Sequence, residues 1–235
     1  ITSHGLRFNP AKSTCMAYGA APPAQPLEPL WTIEGQPIPS TNDGMLYLGA
    51  MLSNDGGASH IHRRTTAAQK AHYSLQGAGL HFGGVSPSVS TKIFDVGVRT
   101  LLTYVCNSLH ISRRSLKQLE TAQGKLVKAF LGLHKFSRTS PLLRALKIPT
   151  AAESIALSSL KLLRSCILHT SNATAFYSHL LCNPCFWSMN TLVNRVFNYI
   201  CDKNLCFYRV LLDDHYFKRN CKMSVIADDN SCNYL

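Results

Sequence analysis

The sequence predicts a mainly α chain with a small antiparallel β element at its start. Three observations lead there. From about residue 58 onward, apolar residues recur three and four apart, the spacing that gathers side chains on one helical face. Before that, six prolines between Pro22 and Pro39 remove N–H groups that a sheet ladder needs, so only short strands fit. Capping residues and glycines then punctuate the helical part at intervals of one helix length.

Taken in order, Gly5-Leu6-Arg7-Phe8-Asn9-Pro10 reads as a turn leading to a short strand at Thr14–Tyr18, and Leu30–Ile33 as another. Met45–Leu52 is a compact apolar run between Asp43-Gly44 and Asn54-Asp55-Gly56-Gly57, the pattern of one buried strand between turns. Ile61, Thr65, Ala68, His72 and Leu75 then share a helical face, and Gly77 and Gly79 end that helix. Ser86-Pro87 or Ser88 caps the next, whose apolar positions Val89, Ile93, Val96, Leu101, Leu102 and Val105 predict burial on most sides. A third helix lies between Ser112 and Gly132 with the stripe Leu116, Leu119, Leu126, Phe130. Ser140-Pro141 opens a short helix that ends before Pro149. Thr150-Ala151-Ala152-Glu153 fits a capping box, and Ile155, Leu162 and either Leu163 or Ser159 continue that helix to about Cys166. Thr174–Leu181 and Leu192–Leu212 are further helices with unmarked ends.

Composition narrows the classes of function. With 46% hydrophobic and 15% charged residues, the chain is too apolar to be disordered throughout. It opens at Ile1 on mid-domain sequence and has no run long enough to span a bilayer, so a truncated, soluble, intracellular piece, cytoplasmic or nuclear, is expected. The net charge of +12 is unevenly placed: residues 60–165 hold 16 basic and 3 acidic side chains, against 2 and 4 in residues 1–59 and 6 and 5 in residues 166–235. An excess of that kind is matched either by a polyanion, most commonly nucleic acid, or by water on a solvated face. Six of the nine cysteines fall in the last 54 residues, and their sparse spacing elsewhere predicts reduced thiols rather than a disulfide scaffold.

Two landmarks resemble a known family. Gly5-Leu6-Arg7-Phe8-Asn9-Pro10-Ala11-Lys12-Ser13 looks like the motif after the catalytic hairpin in the palm of non-LTR retrotransposon reverse transcriptases. Tyr47-Leu48-Gly49 with Asn54-Asp55-Gly56 is similar to the family's primer-grip strand and the turn into its thumb. The basic helix at 60–76, the apolar helix at 89–110 and Leu119-Glu120-Thr121-Ala122-Gln123 up to Phe130-Leu131-Gly132-Leu133 resemble the helices that follow, so the likeness covers roughly residues 5–165. It implies a palm edge with a Pro-rich loop at 1–56, a helical thumb at 57–135, post-thumb helices at 136–170 and a Cys-rich helical tail at 171–235.

The resemblance also assigns roles. Lys12 matches the motif lysine that meets the departing pyrophosphate, and is otherwise a solvent-facing turn lysine. Tyr47, Leu48 and Gly49 would place the primer terminus, or form a core strand with a bulge at Gly49. Arg63, Arg64, Lys70, Lys117, Lys125 and Lys128 are the candidates for phosphate contact, Arg63 and Arg64 foremost because they follow the grip. The implied partner is an RNA–DNA or DNA duplex held by its phosphate backbone, with no membrane partner. No cofactor is expected in this chain, and Mg2+ only in the intact parent enzyme.

Two patterns are decoys. Ile226-Ala227-Asp228-Asp229 resembles the Tyr-x-Asp-Asp core of the family's active site, yet it follows the Asn-Pro-x-Lys motif by more than 200 residues instead of preceding it. Asp213-Asp214 fails likewise, and two-metal phosphoryl transfer needs carboxylates converging on ions about 4 Å apart. Polymerase activity is therefore not expected. Cys182-Asn183-Pro184-Cys185 after His179 has half of a zinc-knuckle spacing, which makes His179, Cys182 and Cys185 zinc candidates, with free thiols as the alternative. The rival account of the whole chain is a non-enzymatic helical scaffold whose apolar stripes pack on partner helices and whose basic surface is solvated.

Overall fold

A computed structural model describes residues 9, 12–16, 31–33, 35–41, 44–80, 84–169 and 191–221. The chain is mainly α with a small β element, which among the described residues consists of two separate antiparallel ribbons. In the first, β1 (Thr32–Ile33) pairs with β2 (Gln36–Pro37), and Pro37 is tolerated because a two-stranded ribbon leaves an edge where its missing N–H is not needed. Of the strand expected at Thr14–Tyr18, the described residues show a single parallel bridge, Cys15 to Ser40.

The run Met45–Leu52, expected as one buried strand, is a tight hairpin of β3 (Met45–Tyr47) and β4 (Ala50–Leu52), with Met45 opposite Leu52 and Tyr47 opposite Ala50. Leu48 and Gly49 form its turn with φ of 47° and 80°, the paired left-handed values of a type I′ turn whose twist matches two antiparallel strands. Folding the run back on itself turns half of it outward. Tyr47 is 57% exposed and Leu48 76%, whereas Ala50 is buried.

Asp55 prepares the first helix, α1 (Ala58–Gly77): its carboxylate accepts the Ser59 N–H at 2.7 Å and the Ser53 hydroxyl at 2.6 Å. Ile61, Ala68 and His72 face inward as the spacing predicts. The apolar helix expected over Val89–Val105 is divided into α2 (Pro87–Ile93), a π turn (Phe94–Val98) and α3 (Arg99–Thr103), and the chain turns away at Val105, φ 60°. A π turn adds a residue to the helical repeat and so rotates everything after it. Phe94, Val98 and Leu102 consequently point inward, while Val96, expected in the core, is 74% exposed.

Ser112 caps α4 (Arg113–Phe130), accepting the Ser115 N–H at 3.2 Å. Ser140 does not cap α5 (Thr139–Ala145); it lies within the first turn, where Pro141 also sits and lacks only an N–H that has no helical partner. The capping box of α6 (Ala151–His169) forms as expected, Glu153 N–H donating to Thr150 Oγ1 at 3.2 Å and Thr150 N–H to Glu153 Oε2 at 3.1 Å. The helix expected over Leu192–Leu212 is broken at residues 203–206 into α7 (Thr191–Asp202) and α8 (Phe207–Leu212), followed by α9 (Asp214–Asn220). Thr174–Leu181 lies outside the described residues.

Four helices end in the same way. Leu80, Leu133, Ile148 and Leu205 each donate an N–H to the carbonyl five residues back, at 2.9–3.0 Å, and the residue before each one is left-handed: Gly79, Gly132, Lys147 and Asn204.

Two apolar clusters result among the described residues. The first joins α1, the π turn, α3, α4 and α5 to Ala151 and Ile155 of α6. The second joins Leu157, Leu160 and Leu163 of the same helix to α7, α8 and Cys221. Two arginines brace them, Arg195 half-buried and Arg164 buried. Arg195 on α7 donates to the carbonyls of Cys106, Asn107 and Leu109 at 3.0–3.2 Å and to Ser159 Oγ, closing the carbonyl-rich end beyond α3. Arg164 donates to the carbonyls of Val210 and Leu211 and pairs with Asp214.

Candidate nucleic-acid interface

α1 and α4 run parallel: Ser112 N–H donates to Gly56 O at 2.9 Å beside both N-termini, and the His72 and Phe130 rings meet 4.9 Å apart towards the far ends. Two positive helix ends thus lie side by side. α1 contains no Asp or Glu, and α4 contains only Glu120. His62, Arg63, Lys70 and Tyr73 are exposed along α1, and Arg114, Lys117, Thr121 and Lys125 along α4. On α4 these positions recur three and four apart, and on α1 Arg63, Lys70 and Tyr73 recur seven and three apart with His62 adjoining Arg63, so each set forms a stripe along one side of its helix.

Beside the N-terminus of α1 stands the hairpin, clamped by side chains from two elements. His60, wholly buried, donates from Nε2 to Tyr104 O at 2.9 Å and accepts the Met51 N–H on Nδ1 at 3.1 Å, which defines a neutral tautomer. Arg64 donates to Gly49 O at 2.8 Å, and its guanidinium lies 5.1 Å from the Tyr104 ring centre. Tyr104 in turn donates its hydroxyl to Leu48 O at 3.1 Å. Both carbonyls of the turn are therefore held, and a Cβ on Gly49 would stand 3.4 Å from the Tyr104 ring. Burial pushes His60 below the usual imidazole range; the bond to Tyr104 O opposes this, and the charges of Arg64 and Arg63 add to it.

The candidate residues consequently separate into two kinds. Arg63, Lys70, Lys117 and Lys125 present their side chains to solvent. Arg64 and Lys128 are engaged internally, Arg64 on the hairpin and Lys128 through Nζ, which donates to the carbonyls of Lys135 and Ser137 at 2.8 and 3.3 Å. Arg99, bound to Asp95 and Ser154, and Arg164 are likewise structural. At least four of the 16 basic side chains in residues 60–165 thus stabilise the fold, leaving a smaller positive surface that includes Arg63, Lys70, Lys117 and Lys125. Tyr47 and Leu48 project from the hairpin tip with Gly49 behind them. Lys12 is exposed on a single turn in which its N–H and the Ser13 hydroxyl both bond to Asn9 O, at 3.1 and 3.0 Å.

The remaining candidates carry no such geometry. Asp213 caps α9 by accepting the N–H groups of His215 and Tyr216, and Asp214 pairs with Arg164, so neither carboxylate is directed at a shared ion. His179, Cys182, Cys185, Asp228 and Asp229 lie outside the described residues. Among the described cysteines, Cys106 is a core side chain: burial pushes its thiol up to about 12, against the nearby charges of Arg195 and Arg64. Sequence reasoning missed His60 and Tyr104. Spacing four residues before Arg64 places His60 on the face that meets the hairpin, but no local pattern links either residue to Tyr104, which is 40 or more positions away.

No helix among the described residues is long and apolar enough to cross a membrane. Comparison with family models, curated proteins and solved structures finds no match.

Proposed function

We propose that this chain is a part of a non-LTR retrotransposon reverse transcriptase, an RNA-directed DNA polymerase, that binds a primer–template duplex by its phosphate backbone and does not itself polymerise. One observation carries the reading: the parallel helices α1 and α4 present lysines and arginines along faces with no exposed carboxylate. Beside them a braced hairpin offers Tyr47 and Leu48 to solvent. Repeated cations on helical faces suit a polyanion with regular charge spacing, and each phosphate met releases counterions. An exposed apolar tip held at both turn carbonyls suits the end of a strand, where a sugar or base offers a flat apolar surface. Polymerisation is not assigned, because Asp213 and Asp214 are committed to a helix cap and an ion pair.

The test is fluorescence anisotropy of a labelled RNA–DNA hybrid titrated with the full chain across a salt series. Binding is expected to weaken steeply with salt, and neutralising Arg63, Lys70, Lys117 and Lys125 together should flatten the log–log slope by about 0.9 for each phosphate that they neutralise in the parent. Absent or salt-independent binding would reject the duplex reading and favour the helical scaffold.

A further inference from the structure

Past α4 the chain makes a short loop, residues 131–138, whose sequence Leu133-His134-Lys135-Phe136-Ser137-Arg138 is both aromatic and basic. It is an ordered turn. Gly132 closes the helix, Ser137 N–H donates to His134 O at 2.9 Å, and Lys128 Nζ staples the carbonyls of Lys135 and Ser137 back onto α4. At the top of this turn Phe136 is 78% exposed, the most exposed large apolar side chain among the described residues. Its ring has the Lys135 ammonium 5.0 Å from its centre and the His134 ring 5.2 Å away, and the rest of the ring faces solvent. Between Thr121 and Ala152 there are six Lys and Arg residues and no Asp or Glu. An unshielded aromatic face fixed among cations, with no carboxylate in the surrounding sequence, matches an unpaired base and its neighbouring phosphates in shape and charge.

We propose that the 133–138 loop is a stacking platform for single-stranded nucleic acid, with Phe136 taking one unpaired base on its open face and Lys135 and Arg138 meeting the adjoining phosphates. This deepens the nucleic-acid reading above and rests on it: the helical stripes hold duplex, and the loop holds the strand that runs past it. Stacking needs no hydrogen-bond code, so the platform accepts any base. The Lys128 staple acts as a positioning device, since it fixes the turn that carries the ring.

The experiment compares the full chain with Phe136→Ala, Phe136→Tyr and Phe136→Leu on three labelled probes: a blunt RNA–DNA hybrid, the same hybrid with an oligouridylate overhang, and oligouridylate alone. Phe136 is solvent-facing, so all three variants should keep the helical circular dichroism of the parent. Phe136→Ala and Phe136→Leu are expected to weaken overhang and single-strand binding about tenfold with an unchanged salt slope, Phe136→Tyr to retain it, and blunt-hybrid binding to be unaffected. If the parent binds the blunt hybrid but Phe136→Ala loses nothing on the overhang, the platform is overturned and the duplex reading stands. Phe136-dependent binding of oligouridylate without any binding of the blunt hybrid supports the platform and overturns the duplex reading. Binding to none of the probes overturns the platform.

Discussion

His60 illustrates how one side chain can hold two elements and a protonation state at once. Its ring accepts from β4 and donates to the backbone beyond α3, so the neutral form alone satisfies both partners. Burial lowers the ionisation of His60 and of His72 in the folded chain below the ordinary value of 6.5. The unfolded chain therefore binds more protons, and stability contributed by these rings is complete above that value and declines as pH falls below it. Urea midpoints measured from about pH 8 down to about pH 5 should fall, and less so in His60→Ala, which should itself cost about 3 kcal/mol through the unpaired Met51 N–H and Tyr104 carbonyl. A pH-independent midpoint in the parent would contradict the neutral clamp. Leu48 makes the opposite case: a branched side chain held left-handed and exposed is a local cost. Leu48→Gly should raise stability by about 1 kcal/mol in denaturant titration while weakening hybrid binding, the signature of a residue kept for its surface.

Among the elements, close packing is most demanding where α4 meets the start of α5. A Cβ on Gly124 would stand 2.7 Å from Thr139 Cγ2 and 2.9 Å from Thr139 Oγ1. Gly124→Ala should improve intrinsic helix propensity yet destabilise by about 2 kcal/mol, and Gly124→Ala with Thr139→Ala should recover most of that loss in the same unfolding assay. Additive single effects would show that the helices separate freely. The elements also divide sharply in how far sequence revealed them. Ser86, Ser112, the Thr150/Glu153 box and the terminal Gly79 and Gly132 were legible because each acts within one helical turn of itself. Lys147 and Asn204 end helices in the same geometry without the glycine that usually announces it. The Met45–Leu52 hairpin and the π turn at Phe94–Val98 were misread for a common reason: both change chain direction or phase inside an unbroken apolar run, where composition carries no mark. In the candidate interface, the exposed cations were legible as charge. The partition between Arg63, which faces water, and its neighbour Arg64, which holds the hairpin, depends on Tyr104 and was not.

At the scale of the molecule, α6 is the member common to both apolar clusters, and Arg195 crosses between them. Its guanidinium is the donor for three main-chain carbonyls, which would be left short of partners by truncation. Arg195→Ala should cost about 3 kcal/mol, and hydrogen exchange should quicken in α7 and α8 before it does in α1 and α4. Uniform loss of protection would mean that the clusters unfold as one. The parallel pairing of α1 and α4 has a further consequence, in time rather than in space. The Ser112 N–H that docks on Gly56 and the Tyr104 that receives His60 are synthesised about fifty residues after their partners. At roughly 5–20 residues per second, the hairpin and α1 wait for seconds outside the ribosome with a bare imidazole and an unanchored apolar tip. The clamp thus closes late in translation, and the nascent chain is most exposed to misassembly in the interval before α4 emerges.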